Sequence, residues 1–124
     1  MNRSVILVGI GGMLGSVARF LLASLLTRAF PSAFPYGTFA VNVIGCLAIG
    51  LVFGCAERFE WMTAEWRVFL ATGLCGGFTT FSSFSFENLS LLRDGDFLTF
   101  GSYSLLSFTF GLAATFLGLV LTRG

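Results

Sequence analysis

Four long runs of this chain are almost free of charge, and they limit what it can fold into. They cover about residues 5–27, 38–56, 68–92 and 97–121. Each is close to the roughly 20 residues a helix needs to cross the hydrocarbon of a bilayer. Of the charged residues, only Arg19 and Glu87 fall well inside a run. A soluble domain carries charge on about a quarter of its residues. This chain of 124 residues is 56% apolar and only 10% charged. The composition therefore predicts an all-α membrane protein, with four transmembrane helices forming a single domain over residues 1–124. So small a bundle leaves little mass outside the membrane. No enzymatic activity and no nucleic-acid partner are expected.

The third run departs from plain membrane-helix chemistry. It contains Gly73-Leu74-Cys75-Gly76-Gly77-Phe78-Thr79-Thr80-Phe81-Ser82-Ser83-Phe84-Ser85. Glycine weakens a helix by about 1 kcal/mol relative to alanine. In hydrocarbon, a broken backbone survives only where protein or water satisfies the freed groups. The third helix is thus expected to break at Gly76-Gly77, with carbonyls turned toward something. Beyond the break, at about 100° per residue, Thr80, Ser83 and Glu87 fall on one stripe. Phe81 and Phe84 lie beside it. A carboxylate within a membrane span marks a functional site by default. Close packing is the plainer reading of the glycines, and back-bonding to their own helix that of the hydroxyls. The density of hydroxyls, rings and Glu87 together favours a conduction or binding site.

Other polar residues are placed on faces by their spacing. Thr38, Asn42, Gly45 and Ile49 share one face of the second run, and Asn42 brings a full amide into the membrane. Tyr103, Ser107 and Gly111 recur every four residues in the fourth. Arg19 either snorkels to headgroups or lends positive potential to a wet vestibule. Gly11 and Gly15, and Gly50 and Gly54, form GxxxG pairs suited to close helix approach. The stretch from Glu57 to Arg67 holds both tryptophans and reads as a short interfacial helix, with Thr63 capping the third span. Arg93-Asp94-Gly95-Asp96 reads as a tight turn. The chain has no His, hence no imidazole proton relay. Cys46, Cys55 and Cys75 lack CxxC spacing and read as buried free thiols. The start resembles a signal peptide only slightly, so an uncleaved first helix is expected.

Four spans put both termini on one side of the membrane. That side holds Arg3, Arg58, Arg67 and Arg123, against Arg28 and Arg93 on the other. So weak a bias allows insertion both ways round. An antiparallel homodimer with its two-fold axis in the membrane plane follows as an expectation.

With these residues in view, the stretch Gly76-Gly77-Phe78-Thr79-Thr80-Phe81-Ser82-Ser83-Phe84-Ser85 resembles the third-helix signature of the Fluc (CrcB) fluoride channels. Arg19 after a glycine-rich first helix, Gly37-Thr38 and Val41-Asn42 opening the second, and Glu87 past the signature agree with it. The similarity covers essentially the whole chain. It implies a dual-topology, antiparallel homodimer in the cell (inner) membrane. Such channels let fluoride leave the cell passively through two pores, with a structural sodium ion at the dimer interface. By motif match, the backbone carbonyls of Gly76 and Thr79 from both subunits would hold the sodium. Phe81 and Phe84 would line the pores and Asn42 would be the pore amide. Thr38, Thr80, Ser83, Glu87, Tyr103 and Ser107 would continue the polar path, with Arg19 at the vestibule. Gly111 stands where some members carry a second fourth-helix serine, so the far end of the path differs here.

The physical chemistry is compatible with this. A pore for small, strongly hydrated fluoride must replace water with hydrogen-bond donors, which Asn, Ser, Thr and Tyr supply. Aromatic edges carry partial positive charge and can face an anion. Two other classes compete. A small dual-topology multidrug/proton antiporter needs an embedded carboxylate, for which Glu87 is the sole candidate. A non-transporting membrane assembly subunit would show no ion flux.

Overall fold

In the computed structural model, which describes residues 2–123, every long element is helical. Met1 and Gly124, the outermost residues of the expected domain, lie outside the described residues. α1 spans Arg3–Ala29, α2 Tyr36–Arg58 and α6 Phe97–Arg123. The third span, Ala64–Arg93, is composite. It opens with α3 (Ala64–Arg67), continues as a π-helical segment (Val68–Cys75) and a turn of helix α4 (Gly76–Phe78), and resumes as α5 (Phe81–Arg93). Four helical stretches are thus long and apolar enough to cross a membrane.

Helix ends follow local chemistry. The Asn2 side chain accepts from the Ser4 N–H at 2.8 Å and caps α1. Arg28, Arg58, Arg93 and Arg123 occupy the last turns of α1, α2, α5 and α6, where cations favour the exposed carbonyls. Each helix therefore runs to its terminal arginine, past the apolar run itself. Thr63 caps α3 as expected, accepting from the Trp66 N–H at 3.4 Å. The separate interfacial helix expected over Glu57–Arg67 is not formed. Glu57 and Arg58 complete α2, and Ala64–Arg67 already belongs to the third span. The aromatic residues there still cluster, with Trp61 edge-on to Trp66 at 6.3 Å. Gly95, at φ 74°, turns the chain from α5 to α6. The Asp96 carboxylate then caps α6 at the Thr99 N–H, 3.2 Å away.

Glycines set the packing. A Cβ at Gly11 would meet the Phe69 carbonyl oxygen at 2.7 Å, and one at Gly15 would strike the Leu74 carbonyl and meet the Phe78 nitrogen at 2.8 Å. Both residues therefore seat α1 against the first half of the third span. Gly50 and Gly54 of α2 interlock with α6 at Thr115, Leu119 and Thr122, and Gly118 answers from α6 at Leu47 and Leu51. In lipid, where apolar surface gains little from meeting apolar surface, such close backbone approach is what holds helices together. The expected GxxxG seams are thus used inside one chain. Outer faces remain apolar, with Phe20, Leu98, Phe108 and Phe116 among the exposed residues.

Candidate functional site

The third span is interrupted, and the interruption lies just past the glycine pair. Gly76 keeps helical angles (φ −62°, ψ −40°). The extended residues are Thr79 (φ −86°, ψ 159°) and Thr80 (φ −150°, ψ 117°). This corrects the expected position of the break. Gly77 instead permits contact, because a Cβ there would meet the Gly12 carbonyl oxygen at 2.6 Å and its Cα at 2.9 Å. The β-branched threonines, poor helix formers, take the extended positions.

An extended pair within the membrane frees backbone groups that need partners. Asn42 supplies two of them. Its Oδ1 accepts from the Thr80 N–H at 2.8 Å, and its Nδ2 donates to the Thr80 carbonyl at 3.0 Å. The amide thus holds Thr80 as a neighbouring strand would. Thr79 satisfies itself, since its N–H and its hydroxyl both donate to the Cys75 carbonyl at 3.0 Å. Thr80 is the N-cap of α5, with its Oγ1 accepting from the Ser83 N–H at 3.2 Å. Arg19 points into the protein and its Nε donates to the Gly77 carbonyl at 3.1 Å. It is half-buried there and is not among the residues that line the cavity described next. Among the described residues, the carbonyls of Gly76 and Thr79 accept no hydrogen bond.

Beside this break lies a cavity of about 430 Å³. Asn42, Thr79, Thr80, Phe81, Phe84 and Ser107 line it, together with the Gly76 backbone. Asn42 has spent one N–H on Thr80, which leaves its second as a donor. Ser107 Oγ is buried with no hydrogen-bond partner. Phe81 and Phe84 lie 5.8 Å apart at their centroids, and Phe81 is 79% exposed at the rim.

The remaining polar residues form a second, separate group. Glu87 accepts from the Thr38 hydroxyl at 2.7 Å through one oxygen and from the Tyr103 hydroxyl at 2.8 Å through the other. Tyr103 is fully buried, and its ring packs on Phe84 at 4.9 Å. The expected continuous stripe is therefore divided. Thr80, Asn42 and Ser107 border the cavity, whereas Thr38, Glu87 and Tyr103 satisfy one another above it and Phe84 joins the groups. Ser83 offers its backbone to the Thr80 cap and does not line the cavity. Ser104 and Phe108 line it without having been picked out, and so do Cys46 and Cys75, expected only as buried free thiols; of the three cysteines only Cys75 is buried, and Cys46 and Cys55 are half-buried. Ser104 was within reach of spacing, since it stands three positions before Ser107 on the same helix face.

Comparisons with known proteins agree with this architecture. The family described as CrcB-like protein, Camphor Resistance (CrcB) matches residues 6–119. A protein of Gloeothece citriformis, named fluoride-specific ion channel FluC, is 47% identical over 119 residues, covering 96% of each chain. A protein of the same name from Nitratidesulfovibrio vulgaris is 48% identical over 117 residues, covering 94% of each. One from Chlorobium phaeobacteroides is 49% identical over 113 residues, covering 91% of this chain and 87% of its own length. With four helices fit to cross a bilayer, a third span broken at Thr79-Thr80 and a match along nearly its whole length, this multi-pass membrane chain belongs to the CrcB family.

Proposed function

We propose that the chain is a passive, fluoride-selective ion channel that lowers cytoplasmic fluoride from the cell (inner) membrane. The observation that carries this is the shared name of relatives 47–49% identical over nearly the whole chain. The cavity supports it with chemistry. Asn42 and Ser107 bring hydrogen-bond donors whose partners within the chain are incomplete or absent. Phe81 and Phe84 bring ring edges that can face an anion without gripping it. Conduction needs sites weak enough to release what they bind. The rings and single donors suit that better than a cationic cage would.

The working unit is an antiparallel homodimer with two pores. The exposed rim position of Phe81 supports a second copy closing the cavity, as do the large apolar faces of the chain. A sodium ion at the dimer interface fits the residues present. Hard cations favour oxygen ligands. The carbonyls of Gly76 and Thr79 are oxygens without hydrogen bonds beside the break, and a two-fold copy would double them. When bound, such an ion supplies fixed positive charge near the anion path. Gly76 and Thr79 act through their backbones, while Asn42 keeps the break open to present them.

The antiporter reading would route protons through Glu87. Both of its oxygens accept hydroxyl hydrogen bonds from within the bundle, which suits a carboxylate that stays in place. The experiment that separates the readings uses purified protein in liposomes. Fluoride efflux under an ionophore voltage clamp, without a proton gradient, is the expected result. Strict dependence on a proton gradient overturns it.

A further inference from the structure

Two of the three cysteines share the cavity wall. Cys46 and Cys75 line it and Cys55 does not. Their juxtaposition follows from the register of α2 against the third span. Thr38 meets Glu87, Asn42 meets Thr80, and Gly45 abuts Thr79 and Phe78. Numbers rise along α2 as they fall along the third span, so the two run antiparallel. One turn beyond Asn42 is Cys46, and one turn before Thr79 is Cys75. Both steps go in the same direction through the membrane, so the thiols stand at one level on facing elements. The clamp between Asn42 and Thr80 fixes this register. On the side of α6, Gly111 leaves room for the Cys46 sulfur, 3.4 Å from where a Cβ would stand. Both thiols are free, and among the described residues neither sulfur makes a hydrogen bond.

We propose that Cys46 and Cys75 form a two-thiol site for a soft, thiophilic divalent metal ion of the mercuric class, and that occupancy of this site blocks the cavity. Thiolates select such ions over the hard cations that oxygens favour. The protein would thus treat two kinds of cation separately, hard ones at backbone oxygens and soft ones at this pair. With a mercuric ion the step balances simply. Each sulfur bonds the metal and gives its proton to water, so one ion releases two protons and leaves a neutral bis-thiolate. No electron is transferred. Neutrality matters in a cavity walled largely by carbon, where an unpaired charge is costly. The metal would then stand one turn from Asn42 and Thr79, across the path assigned to fluoride. The blocking half of the inference rests on that assignment; the binding half does not.

The test uses mercuric chloride on full-length purified protein, with C46S, C75S and C55S and with alanine at each position as a second set. Dimer elution on a sizing column reports folding. Retained mercury after desalting, and the ultraviolet absorption of mercury–thiolate bonds, report binding. Fluoride efflux, each variant against its own untreated rate, reports block, and protein-free liposomes give the background. Wild type and the Cys55 variants are expected to show the absorption of one two-coordinate bis-thiolate per chain and lose efflux, with recovery on adding a dithiol. The Cys46 and Cys75 variants, left with single thiols that can hold mercury only as mono-thiolates, are expected to lose both that absorption and the block. Bis-thiolate absorption unchanged in folded Cys46 and Cys75 variants overturns the site. Retention by the pair with undiminished efflux overturns the block. Retention that follows the pair, in protein with no fluoride efflux before metal is added, supports the site and counts against the channel reading alone.

Discussion

Replacing Asn42 by alanine removes both partners of the Thr80 peptide groups at once. Each buried backbone group left unpaired costs about 1–3 kcal/mol. Asn42→Ala should therefore lower the melting temperature of the detergent-solubilised protein and its fluoride efflux together. A variant that melts as wild type does would show that Thr80 finds other partners. The phenylalanines separate differently. Phe81 is 79% exposed at the rim, whereas Phe84 packs on the buried Tyr103 ring at 4.9 Å. Ile keeps much of the bulk of either ring and lacks the positive edge. Phe81→Ile and Phe84→Ile should both elute as dimers with strongly reduced efflux. Normal efflux in both would leave the rings as packing only. Asn42, Phe81 and Phe84 were legible as candidate site residues because an amide and spaced rings are unusual in a membrane span. That Asn42 holds the break, rather than waiting free in a pore, was not. It depends on which residue of the third span faces α2, and no spacing within α2 encodes that.

At the scale of elements, the third span shows why its glycines misplace the break. A low helix propensity states what a residue tolerates, and contact decides what it does. Gly77 is spent on α1, where a Cβ would meet the Gly12 carbonyl oxygen at 2.6 Å. At Gly9 a Cβ would meet nothing within 4 Å. Gly77→Ala should therefore lower the yield of folded protein while Gly9→Ala leaves the monomer fold unchanged, as circular dichroism melts would report. Equal melts would remove the proposed α1 seam. The spans themselves were legible from charge alone, and their ends ran on to terminal arginines that the apolar pattern does not count. The π-helical winding of Val68–Cys75 was not legible. Its sequence, Val-Phe-Leu-Ala-Thr-Gly-Leu-Cys, is apolar and carries no local signal for wider turns.

For the whole molecule, the weak arginine bias and the exposed apolar faces lead to the same expectation. A chain that inserts in both orientations can meet its inverted copy, which would complete the cavity and double the Gly76 and Thr79 carbonyls. A cysteine introduced near a terminus, in a background lacking the three native ones, should label about equally from the two sides of the membrane, as dual insertion requires. Extra arginines on one side should fix a single orientation and abolish efflux when that variant is expressed alone. Labelling from one side only would contradict the antiparallel assembly. The central claim is that the cavity beside the Thr79-Thr80 break passes fluoride, and fluoride electrode recordings from liposomes holding the purified protein test it most directly. With voltage clamped by an ionophore and no proton gradient, fluoride should leave rapidly while chloride stays inside. No fluoride efflux above protein-free liposomes, or chloride leaving as fast as fluoride, would contradict it.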